Sequence, residues 1–139
     1  MMIQDRPYSN ALNRLTNAGL RPTRQRLALA RLLFECAPHH VTAEQLYSKA
    51  QREKVKVSLA TVYNTLHQFK DAGLLREVVV EPGRSYFDTN LSDHHHFYRE
   101  STGELIDFPV DTLTVGDLPP PPSGTSVSRV DVIIRLQDN

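Results

Sequence analysis

Three consecutive histidines, His94, His95 and His96, run into Phe97-Tyr98-Arg99. In an extended strand, successive side chains point to opposite sides, so His94 and His96 share one side and Asp93 and His95 the other. Two imidazoles at i and i+2 make a ready pair of metal ligands. Further donors stand nearby in sequence: Asp88 at the end of a strand-like stretch, and His39 and His40 in a segment read as a loop. A set such as His40, Asp88, His94 and His96 would join the two halves of the chain. An ion held there would fix the angle between them, the two-state element that a ligand-driven switch needs. Nitrogen and oxygen donors without thiolate suit iron(II), manganese or zinc, and imidazole also ligates haem iron. The plain alternative is a solvated histidine cluster.

Other chemistry finds little support. Cys36 is the single cysteine, which excludes an internal disulfide and any CxxC metal knuckle. Among Leu33, Phe34 and Pro38 it is expected only to pack. Nucleophile elbow, phosphate loop and HExxH motif are all missing. A metal-dependent hydrolase on His94 and His96 would lack a carboxylate at obvious spacing for its base, so the chain is not read as an enzyme.

The elements that must position these residues divide the chain into 1–90 and 91–139. Residues 8–18 place Leu12, Leu15 and Ala18 at helical spacing, with Gly19 as a stop. Residues 22–36 form a second helix with Pro22 near its start, an apolar face of Leu27, Ala30, Leu33 and Phe34, and Pro38 beyond its end. Thr42, with Gln45 three residues on, reads as a capping box for a helix that turns Leu46, Tyr47 and Ala50 inward. Ser58 caps the next helix, 58–72, whose inner face carries Leu59, Val62, Leu66 and Phe69. Its outer face shows Thr61, Asn64, Thr65 and Gln68, hydroxyls and amides suited to a major groove. Strand-period segments 74–80 and 84–88 flank Pro82-Gly83, the chemistry of a type II turn. Short helices followed by a hairpin make a winged helix-turn-helix, with 58–72 as recognition helix.

Beyond residue 90, residues 94–99 and 104–108 read as strands around Ser101-Thr102-Gly103. A short helical turn fits 110–114 at most, and Pro119–Pro122 is extended, polyproline-like chain. Alternation from Val130 to Gln137 marks a last strand. The fold class expected is α+β: a winged-helix domain followed by a small α/β dimerisation domain with a three-stranded sheet. So small a sheet cannot bury its apolar face alone, which points to a two-fold homodimer reading two half-sites.

Net charge is zero, but residues 1–90 carry 13 Lys/Arg against 8 Asp/Glu while residues 91–139 carry 3 against 8. A basic module that meets phosphate and an acidic module with another task fit that asymmetry. Arg21, Arg24, Arg26 and Arg31 cluster upstream of the recognition helix. No apolar run approaches a membrane span and no signal-peptide pattern opens the chain, so a cytoplasmic location without membrane partners is expected.

The stretches GLRPTRQRLALARLL, HVTAEQLY, SLATVYNTLHQFKDAGLL and HHHF…TGELIDF resemble the ferric uptake regulator family over about residues 12–108. The branch resembled is that of the alphaproteobacterial iron response regulators, which share the HHHF run and the proline-rich stretch before an RVDV-type strand. The resemblance implies a dimeric winged-helix transcription regulator of iron homeostasis, whose binding to a palindromic, AT-rich operator depends on a divalent metal or haem. It places metal ligands on His40, Asp88, His94 and His96, with Asp107 as an additional one. It places phosphate contacts on Arg21 and Arg26, and base-facing contacts on Ser58, Thr61, Tyr63 and Asn64. Arg84 at the wing tip would reach phosphate or a minor groove. Haem would use His94, His95 and His96. A peroxide-sensing repressor of the same family is the alternative. The family's structural CxxC zinc site cannot exist here, because Arg99 and Thr102 occupy its positions. A Cys-Pro haem motif is also missing, since Ala37 separates Cys36 from Pro38.

Overall fold

The computed structural model describes residues 9–92 and 94–139. The chain divides into two compact units, Met1–Leu91 and Ser92–Asn139.

In the first unit, helices α1 (Ser9–Asn17), α2 (Arg24–Phe34), α3 (Ala43–Arg52) and α4 (Leu59–Asp71) precede a hairpin of β2 (Arg76–Glu81) and β3 (Arg84–Asp88). Each helix start has a local cause. Thr23, Thr42 and Ser58 are extended N-caps whose hydroxyls accept the backbone N–H three residues on, and Gln45 completes the capping box at Thr42. Pro22 therefore lies outside α2 rather than in its first turn. Gly73, at φ +83°, takes the left-handed position after α4. Gly83, at φ +75°, fills the position of the hairpin turn that a Cβ would disfavour.

Leu15, Leu29, Leu33, Leu46, Val62, Leu66 and Phe69 form the core, closed by Phe87 from β3. Three expected orientations are corrected. Leu12 and Leu59 are exposed while Ala11 is buried, and Thr65 of α4 is buried rather than on the outer face. Helical spacing gives a stripe, and which edge of the stripe is covered depends on neighbours that spacing does not name. The segment at His40–Val41, read as loop, is a short strand, β1, pairing antiparallel with β3 in a sheet ordered β1-β3-β2. Two residues are too few for a period to register.

The second unit is a three-stranded sheet ordered β5-β4-β6, from β4 (His94–Arg99), β5 (Glu104–Pro109) and β6 (Ile133–Leu136). β4 pairs antiparallel with β5 and parallel with β6. One 3₁₀ turn, Val110–Thr112, follows β5, and the proline stretch beyond it lies outside helix and strand and is exposed. No helix among the described residues is long and apolar enough to cross a membrane.

Candidate metal centre and nucleic-acid interface

Strand alternation puts His94 and His96 on one face of β4, and antiparallel register sets Asp107 of β5 directly opposite His96. Cross-strand pairing on one face brings such side chains into contact. The His94 and His96 rings lie 4.6 Å apart. Both Nε2 atoms converge on Asp107 Oδ1, at 3.6 Å from His94 and 3.2 Å from His96. Both imidazoles are buried, whereas the Asp107 side chain is 40% exposed. One ligand atom from each of the three lies within 4.8 Å of the others.

A hydrogen bond sets the chemistry of this trio. His94 Nδ1 lies 2.7 Å from the Ser92 carbonyl oxygen. A carbonyl only accepts, so Nδ1 carries the hydrogen and neutral His94 presents the lone pair of Nε2 toward Asp107. A lone pair facing a carboxylate oxygen calls for a proton or a cation between them. Metal-ligating histidines are fixed in this way by a carbonyl on the far nitrogen. Two imidazoles and a carboxylate are a borderline donor set, fitting zinc, iron(II) or manganese.

His95 takes the opposite face and the opposite tautomer. Its Nδ1 accepts the Val132 N–H at 3.3 Å, and its ring packs on Phe108. In neutral His95 the hydrogen therefore sits on Nε2. The run His94–His96, grouped in sequence as a haem-ligating region, is split by the sheet into a converging pair and a histidine that anchors β6.

In the first unit, His40 of β1 pairs across the sheet with Asp88 of β3. Asp88 is buried, and its Oδ1 accepts the Asn90 N–H at 2.8 Å. His40 packs edge-on to Tyr86, on the same face of β3. The approach to β1 is clamped: Thr89 Oγ1 accepts the His39 N–H at 3.0 Å, and the Thr89 N–H donates to the His39 carbonyl at 3.0 Å. No sequence period announces this clamp, because it joins residues fifty apart. Cys36, expected to pack, is instead exposed, with Sγ 3.5 Å from His39 Nδ1.

Four of the nucleic-acid candidates, Ser58, Thr61, Tyr63 and Asn64, lie at the cap and in the first turns of α4. The Ser58 hydroxyl donates to Thr61 Oγ1 at 2.9 Å and accepts the Thr61 N–H, so both residues are engaged at the helix cap. Asn64 and Gln68 are exposed and Tyr63 half-buried. Arg26 ties α2 to α4: its Nε and Nη2 donate to Gln68 Oε1 at 3.3 and 3.1 Å, and its Nη1 donates to the Arg21 carbonyl at 2.9 Å. Arg26 is thereby a brace as well as a cation, a role the sequence did not suggest. Arg21 is exposed; Arg84, at the hairpin, pairs with Glu81 at 3.2 Å.

Comparison with known proteins agrees with this architecture. The model of the ferric uptake regulator family matches residues 17–116. The peroxide-responsive repressor PerR of Staphylococcus epidermidis is 35% identical over 104 residues, 75% of this chain and 69% of that protein. PerR of Staphylococcus aureus strain Mu50 is 37% identical over 94 residues, covering 68% of this chain and 63% of that protein. Among solved structures, the Vibrio cholerae ferric uptake regulator superposes with TM-score 0.71 at 27% identity, over 94% of this chain and all of that one. A zinc-bound manganese uptake regulator superposes with TM-score 0.63 at 25% identity, over 90% and 96% of the two chains. With the family's model matched over most of its length and with relatives above 30% identity, this chain belongs to the ferric uptake regulator family.

Proposed function

We propose that the protein is a cytoplasmic, homodimeric transcription regulator whose affinity for a palindromic, AT-rich operator is set by a divalent cation. The observation that carries this reading is the convergence of His94 and His96 Nε2 on Asp107, with His94 held in the metal-ready tautomer by the Ser92 carbonyl. When bound, the cation supplies charge compensation and cross-linking of ligand side chains. The resemblance assigns His40 and Asp88 to the same ion, and variants of each test that assignment separately. DNA binding in this reading belongs to the basic first unit, with Arg21, Arg26 and Arg84 on phosphates and Ser58, Thr61, Tyr63 and Asn64 toward bases. Dimerisation and sensing belong to the second.

Two signals fit a regulator of this kind. Iron status, sensed as iron(II) or haem, follows from the resemblance to the iron response branch. Peroxide is favoured by the relatives named above, which are peroxide-responsive repressors. Selection of duplexes from a random pool by manganese-loaded protein tests the general reading: an enriched two-fold-symmetric, AT-rich site is expected, and no enrichment contradicts it. Treatment of the iron(II)-loaded protein with peroxide then separates the signals. A gain of one oxygen on His40, His94 or His96, read by mass spectrometry, assigns peroxide. Unchanged mass, with binding weakened at least tenfold by ferrous haem, assigns haem; a tenfold change is about 1.4 kcal/mol of coupling.

A further inference from the structure

His67 lies one turn after Tyr63 on α4, so the two rings share a face. They stack at 5.6 Å with 29° between their planes. On its other side the imidazole meets Phe87 of β3 edge-on, at 5.3 Å and 89°. Phe87 is buried at the edge of the helical core and is the immediate neighbour of Asp88. His67 is thus the ring by which the helix proposed to read DNA packs on the strand that carries a proposed metal ligand.

We propose that His67 is a positioning residue, which sets the Tyr63 ring against β3 and passes to the recognition helix the constraint that a cation places on Asp88. This rests on the regulator reading above. Adjacent strand residues point to opposite faces but share one peptide plane, so fixing Asp88 restrains the Phe87 ring behind it. Close-packed rings transmit such a restraint because none can move independently. Tyr63 then contributes to binding in one orientation rather than several, and the ordering cost falls on the metal-loaded protein before DNA arrives.

The test is the ratio of operator affinities without and with manganese(II), measured at fixed salt for wild type, His67→Ala and His67→Phe, each checked for folding by its melting transition. A coupling of fivefold or more, the usual lower range for linked sites, is expected in wild type. His67→Ala should lower that ratio toward one, and His67→Phe, which restores a flat ring between Tyr63 and Phe87, should recover most of it. A merely structural role would weaken binding equally in both metal states and leave the ratio unchanged. An unchanged ratio in His67→Ala overturns the inference alone. A wild-type ratio of one overturns the regulator reading and this inference with it.

Discussion

At the residue scale, the most informative atom is His94 Nδ1. Its bond to the Ser92 carbonyl decides which nitrogen faces Asp107, and so aims the lone pair of neutral His94 at the carboxylate in the proposed donor set. Removing a ligand should cost more than the roughly 10–100-fold loss that follows removal of an outer-shell partner. Calorimetric titration with manganese(II) is therefore expected to show weakening beyond a hundredfold for His96→Ala and for Asp107→Ala, while His95→Ala, on the other face, stays within about tenfold of wild type. The residues proposed to face DNA divide differently. Arg21→Ala is expected to weaken binding to every sequence and to flatten the salt dependence by about one unit of slope. Asn64→Ala should instead relax preference at one position, by about 1–3 kcal/mol. Binding measured to specific and scrambled duplexes over a salt series checks both; equal behaviour of the two variants contradicts the division.

At the scale of elements, β4 performs two tasks at once: one face presents the donor pair, while the other uses His95 to fasten Val132 at the entrance to β6. The far end of β6 is fastened by Asp138, whose carboxyl is held below its ordinary value by hydrogen bonds from Ser101 and from Arg99, the latter at 2.8 Å. A lowered folded-state value means that this contribution to stability is present above the unfolded carboxyl's value and is lost as pH falls through the lowered one. Melting curves should show Asp138→Asn slightly less stable than wild type at neutral pH and the two converging in acid; a difference that grows in acid has the wrong sign. Much of this scale was legible in the sequence, because Thr42-Gln45, Ser58 and Pro82-Gly83 announce their caps and turn by local chemistry. That His94 and His96 share a face was legible too, since i and i+2 on a strand leave no choice of face. What stayed hidden is made of long-range partners. β1 needs β3 to exist as a strand, Thr65 is buried by neighbours outside its helix, and Arg26 is occupied by a glutamine forty-two residues away.

At the scale of the whole molecule, zero net charge conceals a basic first part and an acidic second part. That division suits a protein in which one unit meets phosphate and the other answers to a cation. The family's fold supplies the winged helix, but this chain has the single cysteine Cys36, and among the described residues β5 is followed by one 3₁₀ turn and an exposed proline stretch. In the proposed reading the response to metal therefore rests on histidine and carboxylate ligands rather than on a thiolate pair. The measurement that tests this most directly is operator affinity, by fluorescence anisotropy at fixed salt, of chelator-treated protein before and after manganese(II), for wild type and for His94→Ala/His96→Ala. The metal-responsive reading requires a change of at least fivefold in wild type and none in the double variant. An affinity indifferent to metal in wild type, or a metal response that survives loss of both histidines, would contradict it.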